Sequence, residues 1–191
     1  MDMGSGPFIQ HEFKDIYEEP INDLLERKWL GCEHEDGVFY FCKPNIKPPF
    51  VFTNGCFDLL HAGHIALLLK GKEIANRLGG SLIVALNSDE SAAIKKPGRP
   101  INNLVERLIA VASLEAVDYV FFFRAETPER LIRAIRPSIW LHGYDEKLEQ
   151  PPPVVDELKE YGGKIVQVPT CSTISTTHII GRVASYLERN N

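Results

Sequence analysis

Two histidines three positions apart form the most specific chemical pattern in this sequence. His61 and His64 follow an apolar run that ends at Asn54, and a stretch with helical spacing begins between them. Side chains three apart at the start of a helix share a face, and Gly63 has no side chain to block a ligand there. The free N–H groups and the positive end of a helix attract phosphate. Two imidazoles over a phosphate can therefore donate hydrogen bonds to its oxygens as negative charge accumulates.

Two other interpretations of the histidine pair stay open at this point. The pair could be a structural part of the core, or it could be half of a zinc site. A zinc site needs two more ligands, and only Cys56 and Asp58 are close in sequence. Asp58 could instead cap the helix, orient a histidine or approach Mg²⁺. The position of the pair, at the end of an apolar run and the start of a helix, favours phosphate binding.

The elements that must position these histidines follow an alternating pattern. Five short runs have the branched and aromatic content of strands covered on both faces: 49–54, 81–87, 118–123, 138–143 and 164–169. Helices are predicted at about 62–78, 102–115, 128–135, 154–161 and 176–189, and glycine pairs at 79–80 and 162–163 suit left-handed helix ends. We therefore expect an α/β fold, an open parallel sheet of about five strands with helices on both faces. Ligands of such sheets bind outside the carboxyl ends of the strands.

A small N-terminal extension, residues 1–48, precedes this domain, which we place at residues 49–191. Within the extension, residues 14–28 are predicted to form a short helix. Residues 28–43 are predicted to form a β-hairpin, because the Asp-Gly pair at their centre suits a turn that needs a positive φ. The sequence indicates no function for the extension, which could pack on its own domain or dock on a partner.

The composition narrows the class of protein. The formal net charge of the 191 residues is −5 and no basic cluster stands out, which argues against a nucleic-acid partner. No apolar run approaches the roughly 20 residues that span a membrane, and no secretion signal is recognisable. The four cysteines are irregularly spaced, as is typical of a reducing compartment. We expect a cytoplasmic protein without a metal centre built from its own side chains, since Cys32, Glu33, His34 and Cys42 match no zinc pattern.

The stretch TNGCFDLLHAGH, residues 53–64, resembles the signature of the cytidylyltransferase-like nucleotidyltransferases, whose H-x-G-H element binds the phosphates of a nucleoside triphosphate. The resemblance continues through LIVALNSDE, GRPINNLVERL, LEAVDYV, ETPERLI and GGKIVQVP to STISTTHII, and so covers about residues 50–186 in order. It is strongest toward the adenylyltransferase domain of the bacterial enzyme that makes ADP-heptose from heptose 1-phosphate. Glycerol-3-phosphate cytidylyltransferases are also similar. The resemblance implies a Rossmann-like nucleotidyltransferase fold.

The resemblance also implies roles for individual residues. The implied catalytic residues are His61, His64, Arg107 and one of Lys95 and Lys96, although a solvent-exposed lysine pair is nearly as good an interpretation. The implied nucleotide-binding positions are Thr53, Asn54, Gly55, Cys56, Phe57, Gly63, Asn87, Gly143, Ser175, Thr176 and Thr177. Asp58 and Arg99 are candidates for substrate binding, with purely structural roles as the alternative. Ser175 could also act only as the N-cap of the last helix.

The implied reaction needs no covalent nucleophile from the protein. An acceptor phosphate attacks the α-phosphorus of the nucleoside triphosphate in line, pyrophosphate leaves, and Mg²⁺ accompanies the triphosphate. ATP with a sugar 1-phosphate is our first expectation, and CTP with glycerol 3-phosphate or another polyol phosphate is the alternative. The loop at 142–145, HGYD, departs from the Lys-Gly-Gly-Asp-Tyr of the heptose enzymes and leaves the base open. A non-catalytic nucleotide-binding module is a third interpretation, and a homo-oligomer, with a dimer favoured, is the expected assembly.

Overall fold

The computed structural model describes residues 30–34, 38–42, 46–95, 97–143, 154–169 and 174–190. Within them the strands are β1 Leu30–His34, β2 Val38–Cys42, β3 Phe50–Gly55, β4 Ser81–Asn87, β5 Tyr119–Phe123, β6 Ile139–Gly143 and β7 Lys164–Val168. The helices are α1 Ala62–Leu78, α2 Asp89–Lys95, α3 Leu104–Ala112, α4 Glu129–Ile135, α5 Val154–Glu160 and α6 Thr176–Asn190.

The strands of the described residues form one sheet in the order β1-β2-β5-β4-β3-β6-β7. The five strands from β3 to β7 run parallel, which confirms the predicted sheet. The parallel part of the sheet starts in the middle at β3. It continues outward through β4 and β5, and the chain then crosses to β6 and β7 on the other side of β3. Strand order therefore reverses between β3 and β6, and ligands of open parallel sheets bind at the carboxyl ends of such a pair.

The predicted hairpin of the N-terminal extension is confirmed. β1 pairs with β2 antiparallel, with Leu30 opposite Cys42, and β2 pairs antiparallel with β5. The hairpin thus adds two strands to the five that the sequence predicts, because the outer edge of β5 is open to pairing. The helix predicted at 14–28 lies outside the described residues.

Two apolar clusters cover the two faces of the sheet. On one face, α1 and α3 contribute side chains such as Leu68 and Leu108, and on the other face α4 and α5 contribute Ile132 and Leu158. All seven residues of β4 are buried, as expected of a central parallel strand covered on both sides. The predicted helices on both faces are therefore confirmed, and they fix the strand ends that surround β3.

Three local expectations differ from the structure. β7 was expected to be covered on both faces, and this is wrong, because it is the edge strand and all its residues are partly or fully exposed. The short helix α2 was not predicted. Helix α3 is shorter than the predicted 102–115, because a capping box formed by Asn103 and Glu106 starts it late and it ends at Ala112.

The glycine expected at the end of α1 does adopt the left-handed conformation. Gly79 has φ 71°, and its N–H bonds back to carbonyls of the last helical turn, as a C-terminal cap should. The next residue, Gly80, has no room for a side chain, since a Cβ there would overlap the Pro49 carbonyl. This close approach joins α1 to the start of β3. No helix of the described residues is long and apolar enough to cross a membrane.

Candidate active site

A cavity of about 620 Å³ lies at the carboxyl ends of the parallel strands. Its walls come from the ends of β3, β4, β6 and β7 and from the first turns of α1 and α6. The position is the one that the reversal of strand order predicts, and the volume lies in the usual range for a small-molecule site. The N-termini of two long helices thus border one cavity.

The first turn of α1 holds the two predicted histidines together. His61 is the N-cap, with an extended backbone, and its Nδ1 accepts the N–H of Gly63 at 3.1 Å. Because Nδ1 accepts, the proton of the neutral His61 ring lies on Nε2. The rings of His61 and His64 stack with centroids 3.9 Å apart, so the two side chains share the face that their spacing predicts. Both line the cavity.

Gly63 leaves the helix start accessible to a ligand, and there is also little room for a side chain at this position. A Cβ on this residue would lie 3.0 Å from two atoms of the His61 ring and 3.9 Å from the carbonyl oxygen of Ile174. Any larger residue would push the His61 ring off its hydrogen bond. On the opposite side, the buried ring of Phe57 lies 5.1 Å from that of His64. The phenylalanine has φ 47°, a conformation that non-glycine residues adopt only where the surrounding structure imposes it.

The first turn of α6 also lines the cavity and carries three hydroxyl residues, Ser175, Thr176 and Thr177. Ser175 acts as the predicted cap, since its Oγ accepts the N–H of His178 at 3.4 Å. The same Oγ lies 2.9 Å from Nδ1 of the His178 ring. His178 lines the cavity, yet it is absent from the residues that the sequence nominated. Its position three residues after Ser175 places the two side chains on one face of the helix start, and this spacing is the signal in the sequence that points to it.

Arg99 joins the segment after β3 to the first turn of α6. Its Nη1 lies 3.2 Å from Oδ2 of Asp58, and its Nη2 donates to Oγ1 of Thr177 at 3.4 Å. Asp58 is 5% exposed and also accepts the N–H groups of Ile101 and Asn102. Its carboxylate therefore anchors the loop before α3, which supports the structural alternative for Asp58. Arg99 remains a cation at the cavity wall.

Arg107 is fully buried and does not line the cavity. Its guanidinium donates to the carbonyl oxygens of Cys56 at 2.6 Å, Asn87 at 2.8 Å and Asn102 at 3.1 Å, and to Oδ1 of Asp89 at 2.7 Å. One side chain thus ties together the segments that follow β3 and β4 and the one that precedes α3. This geometry favours a positioning role for Arg107, and the catalytic role expected of it stays a prediction.

The ends of the strands supply the remaining polar groups. Oδ1 of Asn54 accepts the indole N–H of Trp140 at 3.1 Å, and Nδ2 of Asn87 donates to Oγ of Ser91 at 2.8 Å. Both asparagines line the cavity, as do Gly55, Cys56, Asp58 and Gly143. Thr53 is 1% exposed and does not line it. Alternate residues of a strand point to opposite faces, so the structure does not bring Thr53 together with Asn54 at the cavity, and the nucleotide contact of Thr53 stays a prediction.

The predicted phosphate-binding lysines fall at the end of α2. Lys95 is the last residue of this helix rather than part of a loop, and it lines the cavity. Lys96 lies outside the described residues. At the other end of α2, hydrogen bonds from its own backbone N–H and from the Ser88 side chain hold the pKa of the Glu90 carboxyl below its usual value. The carboxylate of Glu90 therefore accepts hydrogen bonds at the start of α2.

Comparison with protein families gives one match that covers most of the chain. The family model described as cytidylyltransferase-like matches residues 52–182. Curated relatives include proteins named bifunctional protein HldE. Those of Alcanivorax borkumensis and Hahella chejuensis are each 44% identical over 136 residues, 70% of this chain and 27% of the relative. That of Pseudomonas entomophila is 42% identical over 139 residues, 71% of this chain and 28% of the relative. The chain thus spans about a quarter of the length of these relatives.

Solved structures share the fold. A structure described as a lipopolysaccharide core biosynthesis protein from Thermoplasma volcanium GSS1 is 25% identical, covers 65% of this chain and 98% of its own, and superposes with a TM-score of 0.52. A structure described as a macrolide-efflux protein from Streptococcus pneumoniae is 21% identical and covers 73% of this chain and 53% of its own, with a TM-score of 0.53. The latter likeness concerns the fold alone.

Proposed function

The chain belongs to the cytidylyltransferase-like family of nucleotidyltransferases, and on that premise we propose that it transfers a nucleoside monophosphate, with ATP as the favoured donor, to a sugar phosphate such as heptose 1-phosphate. Pyrophosphate is the second product. The observation that carries the proposal is the pair of helix N-termini at one cavity, with the stacked rings of His61 and His64 at one of them.

This arrangement suits a triphosphate that lies between the two helices. The α-phosphoryl group would face the tip of α1, and the outer phosphates would face the N–H groups and hydroxyls at the start of α6. Lys95 and Arg99 are cations of the cavity wall and would offset the charge of the polyphosphate. The helix ends and the cations thus act on the same ligand from two directions.

The reaction in this geometry is an in-line displacement. An oxygen of the acceptor phosphate forms a bond to the α-phosphorus, and the bond from that phosphorus to the oxygen bridging to the β-phosphorus breaks. The electron pair leaves with pyrophosphate. His61 offers an Nε2–H because its Nδ1 is held by the N–H of Gly63. Such fixed donors stabilise the charge that accumulates on the non-bridging oxygens in the transition state.

Mg²⁺ enters the proposal as a partner of the triphosphate. Among the described residues no group of three or more histidine, cysteine, aspartate or glutamate side chains could hold a metal ion. The carboxylate of Asp58, which faces the cavity, is engaged by Arg99 and by backbone N–H groups. Mg²⁺ binds readily through phosphate oxygens and water, so a cage of protein side chains is not needed. Its contribution when bound is to neutralise charge on the phosphates.

The choice of acceptor follows the sequence resemblance to the adenylyltransferase domain that forms ADP-heptose. It is supported by the relatives named bifunctional protein HldE, which align with the same part of the chain. The solved structure described as a lipopolysaccharide core biosynthesis protein fits a sugar acceptor as well. CTP with a polyol phosphate is the rival, since STISTTHII also resembles the cytidylyltransferase form.

A substrate panel tests the proposal. ATP, CTP, GTP and UTP are each combined with heptose 1-phosphate, other sugar 1-phosphates and glycerol 3-phosphate, and pyrophosphate release is followed with Mg²⁺ present. The fastest release is expected from ATP with heptose 1-phosphate. Activity only with CTP and a polyol phosphate would establish the rival. Nucleotide binding without pyrophosphate release from any pair would show a binding module instead.

We also propose that the protein acts in the cytoplasm as a homo-oligomer, with a dimer favoured. The cytoplasm supplies both nucleotide and phosphorylated sugar. Light scattering of the purified chain at several concentrations measures the assembly. A mass equal to one chain at every concentration would exclude the dimer.

A further inference from the structure

His178 is an imidazole of the cavity that the proposed mechanism does not use. It lies in the first turn of α6, is exposed, and lines the same cavity as His61 and His64. The residues before it, Ser175 to Thr177, were nominated by sequence, and the pattern used there ended one residue short of this ring. Its chemistry is that of a third imidazole at the phosphate site.

The hydrogen bonds of Ser175 determine how this ring is presented. Its Oγ accepts the backbone N–H of His178, which leaves the hydroxyl proton of Ser175 free to be donated to Nδ1 at 2.9 Å. The ring proton then lies on Nε2. Phosphate oxygens only accept hydrogen bonds, so a bound phosphate selects this tautomer. In this arrangement the hydroxyl of Ser175 donates its proton to the His178 ring and therefore does not donate to the ligand.

The ring of His61 is held in a similar way at the start of α1. There Nδ1 accepts from the N–H of Gly63 in the first turn of α1. In both cases a group of the helix start occupies Nδ1, so the proton of the neutral ring lies on Nε2. The two rings differ in that His61 stacks on His64, whereas His178 stands at the tip that the proposed function assigns to the outer phosphates.

We propose that His178 is a substrate-contacting residue whose Nε2–H binds the β- or γ-phosphate of the nucleoside triphosphate and the departing pyrophosphate, with Ser175 as the positioning residue that orients the ring. The inference rests on the proposed function for the identity of the ligand. Its consequence is that affinity for the pyrophosphate moiety depends on His178, whereas the displacement at the α-phosphorus depends on the α1 histidines.

Binding of inorganic pyrophosphate with Mg²⁺, measured by calorimetry on the full chain, tests the contact without an acceptor. His178→Ala removes both ring nitrogens and is expected to weaken pyrophosphate binding by about tenfold, the usual order for one hydrogen bond to a charged group. In turnover assays the same variant is expected to raise KM for the nucleoside triphosphate by a similar factor and to change kcat less.

Two isosteric variants separate contact from positioning. The amide nitrogen of glutamine can take the place of Nε2, whereas asparagine reaches only the place of Nδ1. His178→Gln is therefore expected to keep pyrophosphate affinity within about threefold of the wild type, and His178→Asn to lose as much as His178→Ala. The reverse order, with asparagine retained and glutamine impaired, would overturn the proposal and leave His178 as a support for Ser175.

A control on the same helix excludes a general charge effect. Arg189→Ala removes a cation from the last turn of α6 and is expected to leave pyrophosphate affinity unchanged. An equal loss in Arg189→Ala and His178→Ala would attribute the effect to net charge and overturn the contact. If the wild type binds pyrophosphate in a His178-dependent way but turns over no donor and acceptor pair, the proposed function fails and the contact stands. If turnover occurs and all His178 variants bind pyrophosphate like the wild type, the contact alone fails.

Discussion

The N-terminal turns of α1 and α6 both bring imidazoles to the cavity, but the two helices are held in place by different forces. α1 buries Gly63, Leu68, Gly71 and Ala75 against the sheet. No residue of α6 is buried among those described. The position of α1 is therefore set by the packing that stabilises the whole fold. Contacts of its first turn, such as that between Arg99 and Thr177, join α6 to the rest of the described fold.

This difference suggests a division of labour. In the proposed reaction, displacement at phosphorus needs donors held within fractions of an ångström of the transition-state geometry, and we assign this role to the well-packed helix α1. Binding and release of a polyphosphate need contacts that form and break in each turnover, and we assign these to the less tightly packed helix α6. Changes on the α1 side should therefore reduce kcat or stability, and changes on the α6 side should alter affinity.

The largest effect is expected from His64→Ala on the α1 side. Loss of a preorganised donor should lower kcat by about 10²- to 10³-fold, while the Kd of the nucleoside triphosphate rises less than about tenfold, because the helix N-terminus and α6 remain. Steady-state kinetics and calorimetry measure the two quantities. Leu69→Ala is the control, since Leu69 lies on the same helix and is 58% exposed. A loss confined to binding would place His64 outside the displacement step.

Arg107→Lys should have the next largest effect, and it should lower both the stability and the activity of the protein. A lysine has one nitrogen and cannot reach the four acceptors of the buried guanidinium, so carbonyl oxygens and the Asp89 carboxylate lose their partners. We expect the free energy of unfolding to fall by about 3 kcal/mol, measured by urea denaturation. Arg130→Lys, at an exposed position of α4, should change it by less than about 0.5 kcal/mol. Normal stability with lost turnover would instead support a catalytic role for Arg107.

Arg99→Ala tests the link between the two helices. It removes the contacts to Asp58 and to Thr177 while the backbone N–H groups of Ile101 and Asn102 still serve Asp58. We expect KM for the nucleoside triphosphate to rise about tenfold with kcat within about threefold, and stability to fall by only about 1 kcal/mol. Arg99→Lys should recover part of the affinity because it retains the charge. A kcat loss as large as that of His64→Ala would remove the distinction between the two sides.

Much of the α1 side could be predicted from sequence because its signals are local. The apolar run before Asn54, the glycine between the histidines and the helical spacing after them lie within one continuous segment. The same local pattern gives the five parallel strands. Thr53 marks a limit of such a local signal, since the motif contains both Thr53 and Asn54 but only Asn54 lines the cavity.

The features that were not predicted depend on contacts between distant segments. Arg107 bonds the carbonyl oxygens of Cys56, 51 positions away, and Asn87, 20 positions away, and no sequence pattern records where a carbonyl points. The pairing of the hairpin with β5 is likewise a long-range contact. His178 directly follows the ISTT element, which ends at Thr177, so the family motif itself assigns it no role.

The smallest effect is expected from Leu187→Ala in α6, and its comparison with Leu68→Ala in α1 contrasts the two helices most sharply. Leu68 of α1 is 1% exposed and Leu187 of α6 is 53% exposed. Leu68→Ala should lower the free energy of unfolding by about 3 kcal/mol, the usual cost of a buried cavity, and Leu187→Ala by less than about 0.5 kcal/mol. Urea denaturation of both variants measures the difference. An isolated helix of this length is only marginally stable in water, so a cost of 2 kcal/mol or more at Leu187 would mean that another surface covers α6 in solution. Dependence of that cost on protein concentration would identify the surface as a second copy of the chain, and the contrast between a packed and an unpacked helix would then hold only for the monomer.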